Sequence, residues 1–101
     1  MKVRNMESSQ GNKIANQFVI ETSEGTYFQS YRSIISLIPY FYSPSKPVNE
    51  RMPHEKIMLD EHYWDYSVTT GKYRNLFLGQ TKKETEAKIE SGEYILTDLN
   101  K

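Results

Sequence analysis

Between Gln17 and Ser30 the side chains alternate around Ser23-Glu24-Gly25, and no other stretch constrains the fold as much. Phe18 and Ile20 fall on one side of an extended backbone and Gln17, Val19 and Glu21 on the other, a period of two that no helix satisfies. Such a run, broken by a glycine-bearing turn and resumed at once, is an antiparallel hairpin. Gly25 supplies the positive φ that closes a three-residue loop. Pairing Thr22 with Thr26 then sets the register, with Ile20 opposite Phe28 and Glu21 opposite Tyr27.

A lone hairpin is marginal in water, so the rest of the chain must supply further layers. The 101 residues are enough for one domain. Residues 1–15 are polar without a period and read as a flexible N-terminal arm, leaving 16–101 as a single α+β domain. Ser33 to Tyr42 carries apolar residues on both alternating faces, as a strand covered on both sides would. Pro39 lacks an amide donor and puts that end at an edge or bulge. Residues 43–54, with Pro44, Pro47 and Pro53, form a Pro-rich inserted loop. Lys56 to Leu59 returns as a strand with Ile57 and Leu59 inward, and His62 to Ser67 makes an aromatic corner. Thr70 caps a helix running to Leu78, with Tyr73, Leu76 and Phe77 on one face and Gly79 as its left-handed stop. Thr81-Lys82-Lys83-Glu84 is a capping box opening a second helix to Glu90, and Tyr94 to Leu96 is a last strand. The expected fold is α+β, a small antiparallel sheet of about four or five strands with two short helices in an αα-hairpin.

Thirteen basic and thirteen acidic residues cancel to zero formal charge, which disfavours a general nucleic-acid scavenger. Cysteine is absent, so neither disulfides nor thiolate metal sites can form. The longest apolar-rich stretch, Ile34 to Tyr42, is far shorter than a membrane span, and the N-terminus leads into polar residues rather than a signal-peptide core. These features predict a soluble protein of the cytoplasm. His54 and His62 lack ligand spacing, no Gly-x-Ser-x-Gly elbow frames a serine, and none of the five glycines falls in a phosphate-binding fingerprint. The expectation is a non-catalytic protein with no metal and no cofactor.

Two binding chemistries remain. Among the aromatic residues, Tyr31, Tyr40, Tyr42 and Trp64 are candidates for a protein interface, joined by Arg51 of the inserted loop, because Tyr, Trp and Arg are enriched at interface hot spots. For Trp64, a core plug that Tyr63 or Tyr66 should touch is the favoured reading over an interface anchor. The alternative partner is nucleic acid. Between Thr69 and Lys83 the charged residues are Lys72, Arg74, Lys82 and Lys83, without an acid, and two helices about Gly79 match the size of a helix-turn-helix. Lys82 and Lys83 stand at a helix N-terminus, where the dipole disfavours cations and a phosphate partner would explain them. Glu84, Glu86 and Glu90 on the second helix would repel that partner, and a tight hairpin should spread the four cations over different faces.

Ala15-Asn16-Gln17-Phe18-Val19-Ile20, Tyr27-Phe28-Gln29-Ser30-Tyr31, Leu59-Asp60, Tyr63-Trp64-Asp65-Tyr66-Ser67 with Thr69-Thr70, Phe77-Leu78-Gly79 and Lys88-Ile89-Glu90-Ser91-Gly92-Glu93-Tyr94 together resemble a family of short phage-encoded proteins. That family is uncharacterised, so no catalytic or binding residue carries over. The resemblance implies a short turn between the third and fourth strands, where this chain inserts residues 43–54. It also implies a context, the host cytoplasm, and a role: an accessory protein that binds and inhibits a host defence or nucleic-acid-processing protein. The expected partner is a host protein or ribonucleoprotein complex. A DNA-binding regulator using residues 70–90 is the alternative, and a homodimer is compatible with either.

Overall fold

The computed structural model describes residues 1–101. Its frame is one six-stranded sheet whose strands neighbour one another in chain order: β1 (Lys2–Glu7), β2 (Lys13–Thr22), β3 (Gly25–Ser30), β4 (Ser33–Pro39), β5 (Ile57–Asp60) and β6 (Tyr94–Thr97). Two helices, α1 (Val68–Leu78) and α2 (Lys82–Glu90), occupy the connection between β5 and β6. The first five strands run antiparallel, and β6 returns parallel to β5, as a helical crossover allows. The α+β class therefore holds, with a sheet that is mixed and has six strands instead of four or five antiparallel ones. No helix is long and apolar enough to cross a membrane.

Part of the extra sheet comes from residues 1–15. Read from sequence as an arm, they hold β1 and the start of β2. The strand escaped notice because an edge strand carries charge: Lys2 pairs across from Glu21 and Arg4 across from Val19. An irregularity between Asn5 and Glu7 further blurs the alternation, and Asn16 takes φ 63° within it.

The hairpin of residues 17–30 forms with Gly25 at φ +143°, but one step tighter than expected. Thr22 pairs with Gly25 and not Thr26, so the loop is only Ser23 and Glu24. Val19, not Ile20, therefore lies opposite Phe28, and Ile20 lies opposite Tyr27. The reason is β4. A Cβ on Gly25 would meet the Ile38 carbonyl oxygen and stand 2.8 Å from Pro39 Cα, so the bare glycine lets β4 pass close by. β4 itself ends at Pro39 rather than Tyr42, opposite Gly25, where β3 begins.

Both helices cover the same face. Beneath α1, Met6, Val19, Phe28 and Ile35 form a core with Tyr73 and Phe77, and the Phe28 and Phe77 rings stack at 5.6 Å. Ser30 Oγ and Thr70 Oγ1, both buried, share a hydrogen bond at 3.0 Å that ties β3 to α1. Beneath α2, Ile57, Leu59 and Tyr94 pack with Trp64, Leu78 and Ile89. α1 is capped by Ser67, whose Oγ accepts the Thr70 amide at 3.1 Å, so Thr70 is the capped residue and not the cap. Leu76 is exposed, contrary to the face inferred from sequence, because Arg74 takes the inward position beside Thr70. Gly79 ends α1 at φ 69°, and the Thr81–Glu84 capping box opens α2 as expected.

The opposite face carries no helix. Its side chains form an unbroken apolar row across all six strands, Val3–Ile20–Tyr27–Leu37–Met58–Ile95, each opposite the next. A parallel row, Asn5–Phe18–Gln29–Ile34, is polar in places but uncharged.

Candidate protein-binding site

β3 and β4 are joined by only two residues, Tyr31 and Arg32, since Ser30 pairs with Ser33. Although the Ser23–Glu24 loop turns without one, the commonest two-residue hairpin loops have a positive φ at the first position, a place ordinarily given to glycine or asparagine. Here it is held by tyrosine at φ 57°, at a steric cost of roughly 1 kcal/mol. The Tyr31 amide donates to the Asn16 carbonyl at 2.7 Å, and Gln29 Nε2 donates to the Tyr31 carbonyl at 2.8 Å. These bonds fix the turn, while the ring stays 46% exposed.

Tyr66, 47% exposed, stands at the same end of the sheet. With Tyr31, Arg32, Phe18 and Tyr63 it lines a cleft of about 520 Å³. Its place depends on Asp60, whose buried carboxylate accepts the His62 and Tyr63 amides at 3.1 and 2.9 Å and the Leu99 amide at 2.8 Å. Burial pushes the Asp60 carboxyl up, and these hydrogen bonds more than offset it, so it lies below the ordinary value. The corner so held puts the Tyr63 and Tyr66 rings edge to face at 5.3 Å.

Tyr40 lies at the other end of the sheet, well exposed and edge to face with Phe41 at 5.2 Å. Phe41 in turn meets His54 at 5.9 Å. This aromatic lip borders a second cleft, about 700 Å³, floored by Tyr27, Leu37 and Met58 and closed on its far side by Leu99. Tyr42 is half-buried against the β5–β6 core, and so is Trp64. The Trp64 ring faces Arg74 at 5.2 Å, where tyrosine neighbours were expected. Arg51 holds the inserted loop, its guanidinium donating to the Lys46 and Pro44 carbonyls at 2.8 and 2.9 Å. Tyr31 and Tyr40 are thus surface aromatics at opposite ends, and Tyr42, Trp64 and Arg51 have structural contacts.

The four cations are not a free basic face. Arg74 is fully buried, donating to the Trp64 carbonyl at 2.6 Å and to Asp65 at 3.0 Å. Lys82 pairs with the other Asp65 oxygen at 2.7 Å. Burial pushes the Asp65 carboxyl up, and its bonds to Lys82 and Arg74 prevail and lower it. Lys72 lies over the Tyr73 ring at 5.3 Å, and Lys72 and Lys83 have no carboxylate partner.

Sequence reasoning missed Arg32, Phe18, Tyr66 and Phe41. For Arg32 a signal existed: Tyr31-Arg32 is the only interruption between two strand-like runs. For Tyr66 and Phe41 nothing local marks exposure. Compared with known families, the chain matches over residues 1–93 the model of a family of unknown function, DUF8033. No curated protein and no solved structure matches it.

Proposed function

We propose that this chain, which belongs to the family of unknown function DUF8033, is a protein-binding module that engages its partner through the Tyr31–Arg32 end of the sheet. One observation carries the reading. A bulky tyrosine occupies a left-handed turn position where glycine would be relaxed, and its ring remains exposed. Strain of that kind clusters at binding sites, where it is retained for what the side chain does. The neighbours suit the role: Tyr and Arg are the residue types that anchor interfaces, and Tyr66 and Phe18 extend the apolar surface around them.

In the context implied by the phage-family resemblance, the module is an accessory protein that binds and inhibits a host defence or nucleic-acid-processing protein, acting stoichiometrically and without catalysis. The DNA-binding alternative is weaker, because Arg74 is committed to the interior and Lys82 to Asp65. Affinity capture from infected host cells, with nuclease treatment, tests the proposal using wild-type, Tyr31→Asn and Arg32→Ala baits. A partner retained by the wild type and lost by both variants supports it. A partner held equally by all three, or one released by nuclease, overturns it.

A further inference from the structure

We infer that the partner of this chain lays an acidic peptide segment, with apolar side chains flanking its carboxylates, along the outer groove of α1. The inference rests on the Tyr31 reading for where the partner sits, and it names the chemistry the partner must carry. Tyr66 is the link, because it lines both the cleft beside Tyr31 and a groove of about 710 Å³ along α1. Val68, Gly71, Lys72, Asn75 and Leu76 line this groove at the spacing of one helical stripe, and Asp65, Arg74 and Lys82 join them. Gly71 keeps it open. A glycine inside a helix is destabilising relative to alanine, and nothing in the fold demands one here. The backbone at Gly71 is ordinary helix. A Cβ there would stand 3.5 Å from Asp65 Oδ1 and 3.6 Å from Arg74 Nη2, both ordinary contact distances. Alanine would suit the fold, but it would raise the floor of the groove.

Charge and exposure decide what fills it. Three cations, Lys72, Arg74 and Lys82, line the groove with a single acid, Asp65, so two positive charges are in surplus. Glu84, Glu86 and Glu90 of α2 stand outside the lining. Lys72 has no carboxylate partner. Arg74 uses three of its five N–H groups on Trp64, Asp65 and Asn75. Its Nη2 keeps one hydrogen after the bond to Asn75, beside the space over Gly71. Carboxylates complement this surplus. The apolar part of the groove is equally uncovered. Val68 is 91% exposed and Leu76 58%, about two helical turns apart on the same stripe. A phosphate backbone would satisfy the cations and leave both side chains in water, whereas a peptide whose acids are flanked by apolar residues covers them as well.

Amide chemical-shift mapping of the full chain provides the test, with a helix-forming peptide of alanine, glutamate and leucine as the probe. A twin peptide with lysine for glutamate and a short duplex DNA are the controls. The acidic peptide should shift the Val68, Gly71, Lys72 and Asn75 amides saturably, and the lysine twin should not. Lys72→Glu should weaken the acidic peptide about tenfold, as reversing an interface charge does. Gly71→Ala should also weaken it while matching or exceeding the wild-type thermal midpoint, a combination that a glycine kept for the fold would not give. Four outcomes overturn the inference: no shift in α1 at millimolar peptide, shifts confined to Tyr31 and Arg32, an equal response to the lysine twin, or tighter binding of the duplex at the same amides. Undiminished peptide binding in both Lys72→Glu and Gly71→Ala does so too. These results bear on the groove alone. The Tyr31 reading fails separately, when Tyr31→Asn captures the partner as well as the wild type does.

Discussion

The guanidinium of Arg74 lies over the ring of Trp64 at 5.2 Å and donates to the carbonyl of the same residue at 2.6 Å. One side chain thereby fixes both the position of the aromatic corner and the backbone that leads from it into α1. Asp65 and Asn75 take two more of its hydrogen bonds, at 3.0 and 2.9 Å. Arg74→Met would keep much of the volume and lose every one of them. It would also leave Asp65 with Lys82 as its only cation. The expected cost is about 3 kcal/mol, the low end for removing one member of a buried ion pair, since Asp65 keeps some solvent contact and a second partner. Chemical denaturation of the variant measures it, and a loss under 1 kcal/mol would show the buried cation to be dispensable.

Gly25 is a sharper case. At φ +143° most side chains are already strained, and here the space is filled by backbone. Atoms of Ile38, Pro39 and Tyr40 surround the missing Cβ, and Tyr40 is itself held by its amide bond to the Glu24 carbonyl at 2.8 Å. No side chain can rotate out of the way. Gly25→Ala should therefore cost about 3 kcal/mol, beyond the ordinary glycine-to-alanine penalty at positive φ, and unfold a domain of marginal stability. A thermal midpoint within a few degrees of the wild type would contradict the tight β3–β4 approach.

What could be read from the chain and what could not divides by distance along it. The capping box at Thr81 and Glu84, the Gly79 stop and the hairpin about Gly25 are decided within a few residues, and local patterning sufficed. The register of that hairpin was not decided locally, because the approach of β4 selects the tighter loop. The burial of Arg74 depends on groups nine and ten residues back that only the corner brings to it. Asp60 serves the Leu99 amide 39 residues away, and nothing near Asp60 announces it. Among the site candidates, Tyr31 was legible as a surface aromatic, whereas its strain follows from a two-residue loop that sequence alone did not delimit.

The C-terminal tail makes a strand-like contact without being a strand. Asn100 Oδ1 accepts the Ile34 amide at 2.7 Å, and Asn100 Nδ2 donates to the Ile34 carbonyl at 2.9 Å. β5 pairs with β4 only at Ser36 and Leu37, so the asparagine amide takes over where the ladder stops. Asn100→Ala should cost about 1 kcal/mol, the net worth of partly solvated hydrogen bonds. Hydrogen exchange at the Ile34 amide should quicken accordingly, with Leu37 unaffected. Equal protection at Ile34 in both proteins would show that another group replaces Asn100.

Glu55 predicts a pH response in the inserted loop. Its carboxylate accepts Lys46 Nζ at 2.8 Å, the Met52 amide at 2.9 Å and Ser43 Oγ at 3.1 Å. The Lys46 bond, followed by the Met52 bond, lowers its pKa from 4.5 to about 2. A carboxyl held lower in the folded than in the unfolded state binds fewer protons when folded. Its contribution is complete above about pH 4.5 and is lost as the pH falls toward about 2. Protease resistance of residues 43–55 should decline over that window, and Glu55→Gln should be susceptible throughout with the window abolished. A wild-type loop that stays resistant down to pH 2 would rule out the carboxylate as its anchor.

Tyr31 offers a prediction in which stability and binding move in opposite directions. Its φ of 57° suits asparagine, which tolerates the left-handed region far better than an aromatic residue does. The ring is nearly half exposed, so removing it forfeits little burial. Tyr31→Asn should therefore be neutral or stabilising, by up to about 1 kcal/mol of relieved backbone strain. The same change deletes the aromatic anchor, so partner capture should fall at least tenfold, as hot-spot truncation does. Measured together, a raised or equal thermal midpoint with lost capture identifies a residue kept for binding. A lowered midpoint would mean instead that Tyr31 packs for stability, and the strained turn would then need a structural explanation.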